Sequence, residues 1–278
     1  MDVRAELGAF LRSRRARLQP EDAGLIRYGE RRRVPGLRRE ELAQLAGVSA
    51  DYYTRFEQGR GEHVSGAIVD AVAAALRLDD AERAHLHNLA RAVHPRPLAA
   101  APQQVRPGLR QLLDAMSGTP AFIIGRRMDV LAWNPLFASV ILNFGAIPPV
   151  RRNKVWVVFT HEEMRSRYVN WPAKARDVLA YLRMDHGRHP GDPAFPALIE
   201  ELSERSPDFR RMWAEQEVRD KTHGTYDLWH PTVGALTLSY ETFRAADDPD
   251  QALIAYTAAP GSPSEAALGL LRGVVSPA

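Results

Sequence analysis

A two-domain chain is predicted. It has an N-terminal all-α bundle of five helices over residues 1–93, a Pro-rich linker over 94–106, and a C-terminal α+β domain over 107–278. The second domain should hold about five antiparallel strands and several helices. Three observations lead there. The 278 residues are enough to bury two cores. Apolar residues recur at helical spacing through the first ninety positions, whereas alternation at period two is found only beyond residue 120. Between the two patterns lies HPRPLAAAP, starting at His94, a composition that makes a semi-rigid spacer.

Within the first domain, Leu7, Phe10, Leu11, Ala16 and Leu18 mark an amphipathic helix that ends before Pro20. Residues 19–36 then read as a loop, with Pro20, Gly24, Gly29, Pro35 and Gly36 around the triplet Arg31–Arg33. Loops of this length are usually functional or disordered. Two readings stay open for the triplet: contact with a nucleic-acid backbone, or a solvated loop.

The organising stretch is RREELAQLAGVSADYYTRFEQ, from Arg39. Leu42, Leu45 and Ala46 give a first helix one apolar stripe, and Ala43 is small where a second helix would cross closely. Gly47 fits a left-handed stop, Val48 plugs the turn, and Ser49 suits the N-cap of a new helix. In that helix Tyr53 and Phe56 point inward, leaving Ala50, Asp51, Tyr52 and Arg55 outward near its N-terminus. This arrangement predicts a DNA-binding helix-turn-helix with its second helix in the major groove; a helical hairpin with a Gly turn is the plainer reading. Ile68, Ala71, Val72, Ala75 and Leu76 define a fourth helix capped by Ser65. Leu86, Leu89, Ala90 and Val93 define a fifth, opened by Asp79 and Asp80, whose charges suit a first turn.

Charge placement supports the nucleic-acid reading. Residues 1–96 hold 17 basic residues, all Arg, against 14 Asp and Glu, while residues 97–278 hold 20 of each sign. The whole net charge of +3 therefore belongs to the first domain. Arg suits bidentate contact with phosphate and guanine edges.

Other classes are excluded or poorly supported. With no cysteine there is no disulfide, thiolate catalysis or Cys-ligated metal. No apolar run approaches the roughly 18 residues that span a bilayer. Arg4, Arg12, Arg14, Arg15 and Arg17 interrupt any secretory pattern, so a cytoplasmic protein is expected. His161-Glu162-Glu163 lacks the second His of a zinc helix. His186 and His189 are expected to be misaligned, because Gly187 and Pro190 should break the helix there. Asp247, Asp248 and Asp250 lack the rest of a calcium loop. Neither a catalytic nor a metal site is expected, nor a cofactor.

In the second domain Ala121–Ile124 and Val130–Trp133 read as strands around a turn at 126–129. Asn134-Pro135 starts a helix through Leu142. Val155–Phe159 fits either a buried strand or a buried helical turn. Helices follow along Ala175–Leu182 and Phe195–Leu202, and after the Ser206-Pro207 cap along Phe209–Gln216. Strand signals return at Tyr226–His230, at Leu236, Leu238 and Tyr240, and at Ala252–Thr257. Ser262-Pro263 opens a closing helix. Strands at both ends suggest two hairpins meeting in one sheet.

These blocks resemble a known family. LRREELAQLAGVS and YYTRFEQGR are similar to the Cro/CI-type (XRE) helix-turn-helix of bacterial repressors. MDVLAWNPL (128–136), HGRHPGDP (186–193), ELSERSPDFRRMW (201–213), HPTVGALTLSYETF (230–243) and YTAAPGSPSEAAL (256–268) resemble the MmyB-like ligand-binding domain, PAS-like in that family. The departures lie in 155–170 and 220–230. The resemblance implies a transcriptional regulator, a repressor by family habit, whose operator binding answers to a small lipophilic effector such as a fatty acid.

For DNA, Arg55 is the best base reader. Tyr52 could meet a thymine methyl or a phosphate. Asp51 could accept from cytosine or serve only the helix dipole. Ser49 and the amides of Ala50 and Asp51 suit a phosphate, and Arg38, Arg39 and Arg60 suit backbone contacts. Glu57 is expected to pair within the domain. For the ligand, Phe122, Ile124, Trp133, Phe137, Phe159, Trp171, Trp213, Tyr240 and Tyr256 are the pocket candidates, with His230 and Arg126 as polar anchors for a carboxylate. Expected partners are a double-stranded operator, the effector and a second copy of the chain, with no membrane. The competing expectation is a DNA-tethered protein-interaction module without an effector. A cavity of about 300 Å³ or more, lined by those aromatics, would favour the sensor, and a closed core the module.

Overall fold

Apolar spacing and end-capping account for the first five helices of the computed structural model, which describes residues 3–21, 24, 36–60, 64–92, 103–189, 191–218, 222–245 and 248–275. The triplet Arg31–Arg33 and linker residues 94–102 lie outside the described residues. Helix α1 (Val3–Arg17) buries Leu7, Phe10 and Leu11. Helix α2 (Arg39–Leu45) starts where the Glu41 carboxylate accepts the Arg38 N–H at 2.7 Å. Gly47 follows at φ +67°, a conformation that suits a residue without Cβ. Helix α3 (Ala50–Glu57) is capped by Ser49 Oγ, which accepts the Tyr52 N–H at 3.1 Å. Ser65 caps α4 (Gly66–Ala75) in the same way, and α5 (Asp80–Ala92) follows.

Leu42, Ala43, Ala46, Tyr53 and Phe56 enter the core these helices share. Leu45 corrects the expected stripe. It is exposed, because its position at the last turn of α2 points off the edge of the bundle.

Beyond the linker come α6 (Pro107–Ala115), β1 (Ala121–Ile124), β2 (Val130–Trp133) and α7 (Pro135–Val140), capped by Asn134. Then follow α8 (Lys154–Thr160), α9 (Glu162–Arg167), α10 (Trp171–Arg188), α11 (Ala194–Arg205) and α12 (Pro207–Ala214). Strands β3 (His223–His230), β4 (Gly234–Ala245) and β5 (Asp248–Thr257) precede α13 (Pro263–Val275). The ambiguous run Val155–Phe159 is helical, since Asn153 Oδ1 caps it by accepting the Trp156 N–H. Helix α10 also continues through Gly187 to Arg188, so the expected break at Gly187 does not occur.

All five strands form one antiparallel sheet in the order β2-β1-β5-β4-β3. The two hairpins meet because β5 inserts between β1 and β4. As the central strand it is buried along Gln251–Tyr256. Period two then sorts its residues. Ala121, Ile123, Leu253 and Ala255 share one face with Leu113 of α6. Phe122, paired with Ile254, and Tyr256, paired with Tyr240, occupy the other.

The boundaries differ from those expected. The chain packs as two compact units: residues 1–99 with 183–198 and 211–220, and residues 100–182 with 199–210 and 221–278. The first unit is thus more than an N-terminal bundle. Met184 and Val218 sit in its core beside Leu7, Phe10 and Leu86. Gly187 is where the chain passes His85: a Cβ there would lie 2.8 Å from the His85 Nδ1.

Candidate DNA interface and ligand cavity

On α3 the two faces separate cleanly. Tyr53, Phe56 and Glu57 are buried, while Ala50, Asp51 and Arg55 are exposed and Tyr52 is half-buried. Asp51 and Arg55 pair at 3.1 Å across one turn of that outer face. Such an exposed pair contributes only about 0.5 kcal/mol and opens readily. Arg38 is exposed just before α2. Arg60 is exposed beyond α3 and shares a shallow cleft with Arg4 and Arg12 of α1. Ser49 spends its oxygen on the cap described above.

Arg39 is placed differently. Its Nη2 and Nε donate to Glu57 Oε1 at 2.7 and 2.9 Å, while Arg15 Nε reaches the other carboxylate oxygen at 3.2 Å. Glu57 is fully buried, so this intradomain pairing ties α1 and α2 to the end of α3. Arg39 thus helps to hold α3 in place. A second buried pair sits deeper in the unit: Arg183 Nε donates to Glu6 Oε1 at 2.9 Å, with both side chains out of water. Arg183 also donates to the carbonyls of Trp213 and Glu217 and lies 3.8 Å over the Trp213 ring.

In the second unit a cavity opens on the α10 side of β1, β5 and β4, lined by residues that include Ile124, Lys154, Lys174, Tyr226, Tyr240 and Tyr256. It encloses only about 40 Å³. A cleft of about 310 Å³ beside α13 is larger, but Tyr256 is its one aromatic among polar and small groups such as Thr119, Thr257, Glu265 and Arg272.

The inner cavity is unusual for its cations. Lys154 Nζ lies 4.1 Å from the Phe122 ring centre, and Lys174 Nζ lies 4.1 Å from that of Tyr226. Burial, and then the neighbouring charge of Lys174, hold the Lys154 ammonium well below the usual lysine range. Burial pushes the Tyr240 phenol up to about 12 and that of Tyr256 well above its ordinary value.

Of the pocket candidates, Ile124, Tyr240 and Tyr256 line this cavity, and Phe122 and Phe137 stack behind it, 4.5 Å apart. Trp133 packs on Phe144 instead. Phe159, Trp171 and Phe209 form a separate aromatic cluster, with Trp171 Nε1 donating to the Val158 carbonyl. Trp213 belongs to the first unit.

The two proposed anchors do not reach the cavity. His230 accepts the Thr232 N–H at Nδ1 and donates from Nε2 to the Ser139 carbonyl, so the strand-end turn takes one nitrogen and α7 the other. Arg126 lies 3.7 Å from Asp250 at the start of β5. Lysine 154 was missed by sequence reasoning, although a signal existed: Lys154 stands alone between a capping Asn and the run Val-Trp-Val-Val-Phe. Lys174, Asp177 and Tyr181 carried no such mark, because α10 presents them at ordinary helical spacing.

A helical unit presenting a helix-turn-helix, joined to an α+β unit with an internal cavity, defines the class of DNA-binding regulators that carry a ligand-binding domain. The MmyB-like transcription regulator ligand binding domain family matches residues 105–271, more than half of the chain, and a helix-turn-helix domain family matches residues 6–86. The chain belongs to the MmyB-like transcription regulator family. Comparison with curated proteins gives no match. Among the described residues no helix is long and apolar enough to cross a membrane.

Proposed function

We propose that the protein is a one-component repressor of the XRE type, acting as a cytoplasmic homodimer without catalytic activity. It binds a palindromic operator, and a small effector in the second unit changes operator affinity. The observation that carries the DNA half is the outer face of α3, with Ala50, Asp51, Tyr52 and Arg55 presented and Tyr53 and Phe56 anchored below. In a symmetric dimer the two recognition helices would stand about 34 Å apart for half-sites one duplex turn apart. Arg55 reads base edges once its pairing with Asp51 opens, and Arg38 and Arg60 meet phosphates.

The test is fluorescence anisotropy on a palindromic site selected from genomic fragments, across a salt series. Affinity should fall steeply with salt, as expected for a protein that neutralises several phosphates. A flat response, or an Arg55→Ala variant that binds as wild type does, would sink the assignment of α3.

The effector acts through differential affinity for the DNA-competent and incompetent arrangements. One observation favours a second reading, the DNA-tethered protein-interaction module: 40 Å³ is far below the roughly 300 Å³ of a drug-sized pocket. The polar groups that Lys154, Lys174, Tyr226, Tyr240 and Tyr256 bring to the cavity wall favour an effector, since a few polar groups on an apolar wall are what orient a small ligand.

A further inference from the structure

Lysine is scarce in this chain, and its placement is selective. Of 37 Lys and Arg residues only three are Lys, at 154, 174 and 221. Lys154 and Lys174 both line the inner cavity of the second unit, 1 % and 5 % exposed. Lys221 lies outside the described residues. Where the chain buries a guanidinium it supplies a carboxylate: Arg14, Arg15, Arg167 and Arg183 each reach one within 3.2 Å. Lys154 has other company. Its one hydrogen-bond partner among the described residues is the Tyr256 hydroxyl at 3.5 Å, and the rings of Phe122, Phe137 and Tyr256 lie within 6.0 Å of its Nζ. The nearby charge that acts on it is the like charge of Lys174.

Lys and Arg differ most in what they do when deprived of water. A guanidinium keeps its proton, whereas a buried amine gives it up and becomes a nucleophile. An apolar wall and a second cation nearby are the surroundings that free a lysine amine to attack a carbonyl carbon. Burial, and then Lys174, act on Lys154 in that direction. Burial keeps the Tyr240 and Tyr256 phenols protonated, so they can orient a carbonyl oxygen by hydrogen bonding without adding charge. The volume bounds the partner: about 40 Å³ has room for roughly three water-sized groups. Ile124, Val178 and Ile254 supply apolar wall around them.

We infer that the cavity takes a short aliphatic aldehyde, which Lys154 captures as a reversible imine. The Lys154 lone pair attacks the carbonyl carbon, and the carbonyl oxygen takes up a proton to give a carbinolamine. The nitrogen lone pair then forms the C=N bond as the hydroxyl leaves as water. Along the way the nitrogen gives up two protons and the oxygen gains two, so one amine and one aldehyde give one imine and one water. Lys174, whose charge acts on Lys154 from the same wall, relays a proton to the departing hydroxyl. The inference rests on the reading of the second unit as an effector receptor, and it replaces a long lipophilic effector with a short reactive one. Carbonyl reactivity, more than apolar area, then selects the ligand.

The experiment incubates the full chain at neutral pH with propanal and cyanoborohydride, which reduces an imine to a stable amine, and maps the adducts by peptide mass. Nα-acetyllysine in the same tube is the reference amine. Lys154 should gain a propyl group at least tenfold faster than the reference, and decanal should label it more slowly than propanal. In Lys154→Met the cavity peptides should stay unlabelled. If that variant does not fold, the rate ratio on the unaltered protein decides alone. Labelling of Lys154 no faster than the reference, faster labelling by decanal, or a propyl group carried by Lys174 in its place would overturn the inference. Thermal melting with a library of small acids, amides and alcohols tests the receptor reading separately. A compound that raises the melting temperature while Lys154 stays unlabelled by propanal overturns the imine alone. No stabilising compound together with an unlabelled Lys154 overturns both.

Discussion

In the first unit Arg183 and Glu6 face each other at 2.9 Å out of water, and Glu57 holds Arg15 and Arg39 together. In the second, Lys154 is as deeply buried but meets aromatic rings and a phenol. The first arrangement is self-sufficient. Each charge is satisfied by a residue of the same unit, so its work is to hold α1, α3 and the segments 183–198 and 211–220 in one register. The second weakens the charge instead: burial, and then the like charge of Lys174, hold the Lys154 ammonium well below the usual lysine range. One buried group keeps its charge by pairing within the chain, and the other is pushed towards its neutral form.

The largest expected effect breaks the self-sufficient half of that comparison. Arg183→Ala leaves Glu6 buried and unpaired and should cost about 3–5 kcal/mol in urea unfolding. Replacing both partners together, Glu6→Leu with Arg183→Met, should recover most of the loss. If the double variant is no more stable than Arg183→Ala, the pair is not the unit of stability described here.

Arg55→Ala tests a third kind of charge, exposed and presented. Operator binding should weaken by about 1–3 kcal/mol, tenfold to a hundredfold or more. Unfolding should shift by no more than about 0.5 kcal/mol, because the Asp51 pair it loses is solvent-exposed. A stability loss comparable to that of Arg183→Ala would place Arg55 among the structural charges.

Lys154 predicts a pH dependence opposite to that of an ion pair. Its ammonium is held below the usual lysine range, so above that depressed value the unfolded chain binds more protons than the folded one. Stability should therefore rise with pH from the folded value up to about 10.4, the unfolded lysine pKa. Lys154→Met should remove that slope and be the more stable protein at neutral pH. Urea midpoints for the two proteins between pH 7 and 10 check it, and parallel profiles would show that Lys154 is compensated within the chain.

The smallest effect is Ser49→Ala, which removes the cap of α3 and should cost about 1 kcal/mol. Operator affinity should fall with it, since Asp51 and Tyr52 lie in the first turn that the cap orders.

Local chemistry was readable without coordinates where it is spelled by neighbours in the chain. Caps at Ser49, Ser65 and Asn134, the left-handed Gly47, and the alternation of Leu236, Leu238 and Tyr240 each depend on residues a few positions apart. Leu45 escaped because the exposure of a helix's last turn depends on how far the neighbouring helix extends. Val155–Phe159 escaped because an apolar run has no period, and the Asn153 cap decides it.

The aromatic pocket list suffered from a related limit. Trp133, Phe159, Trp171 and Trp213 are as apolar as Phe122, and hydrophobicity does not say which of several clusters a ring will join. Chemistry alone points to His230 and Arg126 as anchors, but the Ser139 carbonyl of α7 and the Thr232 N–H take the two nitrogens of His230, and Arg126 lies 3.7 Å from Asp250 of β5.

By itself, then, the sequence determined the helix-turn-helix and its presented face, the order of the strands, and the membership of the chain in its family. All of these rest on short-range periodicity, capping and motif spacing. Only the tertiary structure decided that residues 183–198 and 211–220 belong with the first ninety-nine, and that Lys154 lies among Phe122, Phe137 and Tyr256. The physical reason is range. A charge's partners, and the water it loses, are set by elements a hundred or more residues away, and no local pattern records which of those elements will close over it.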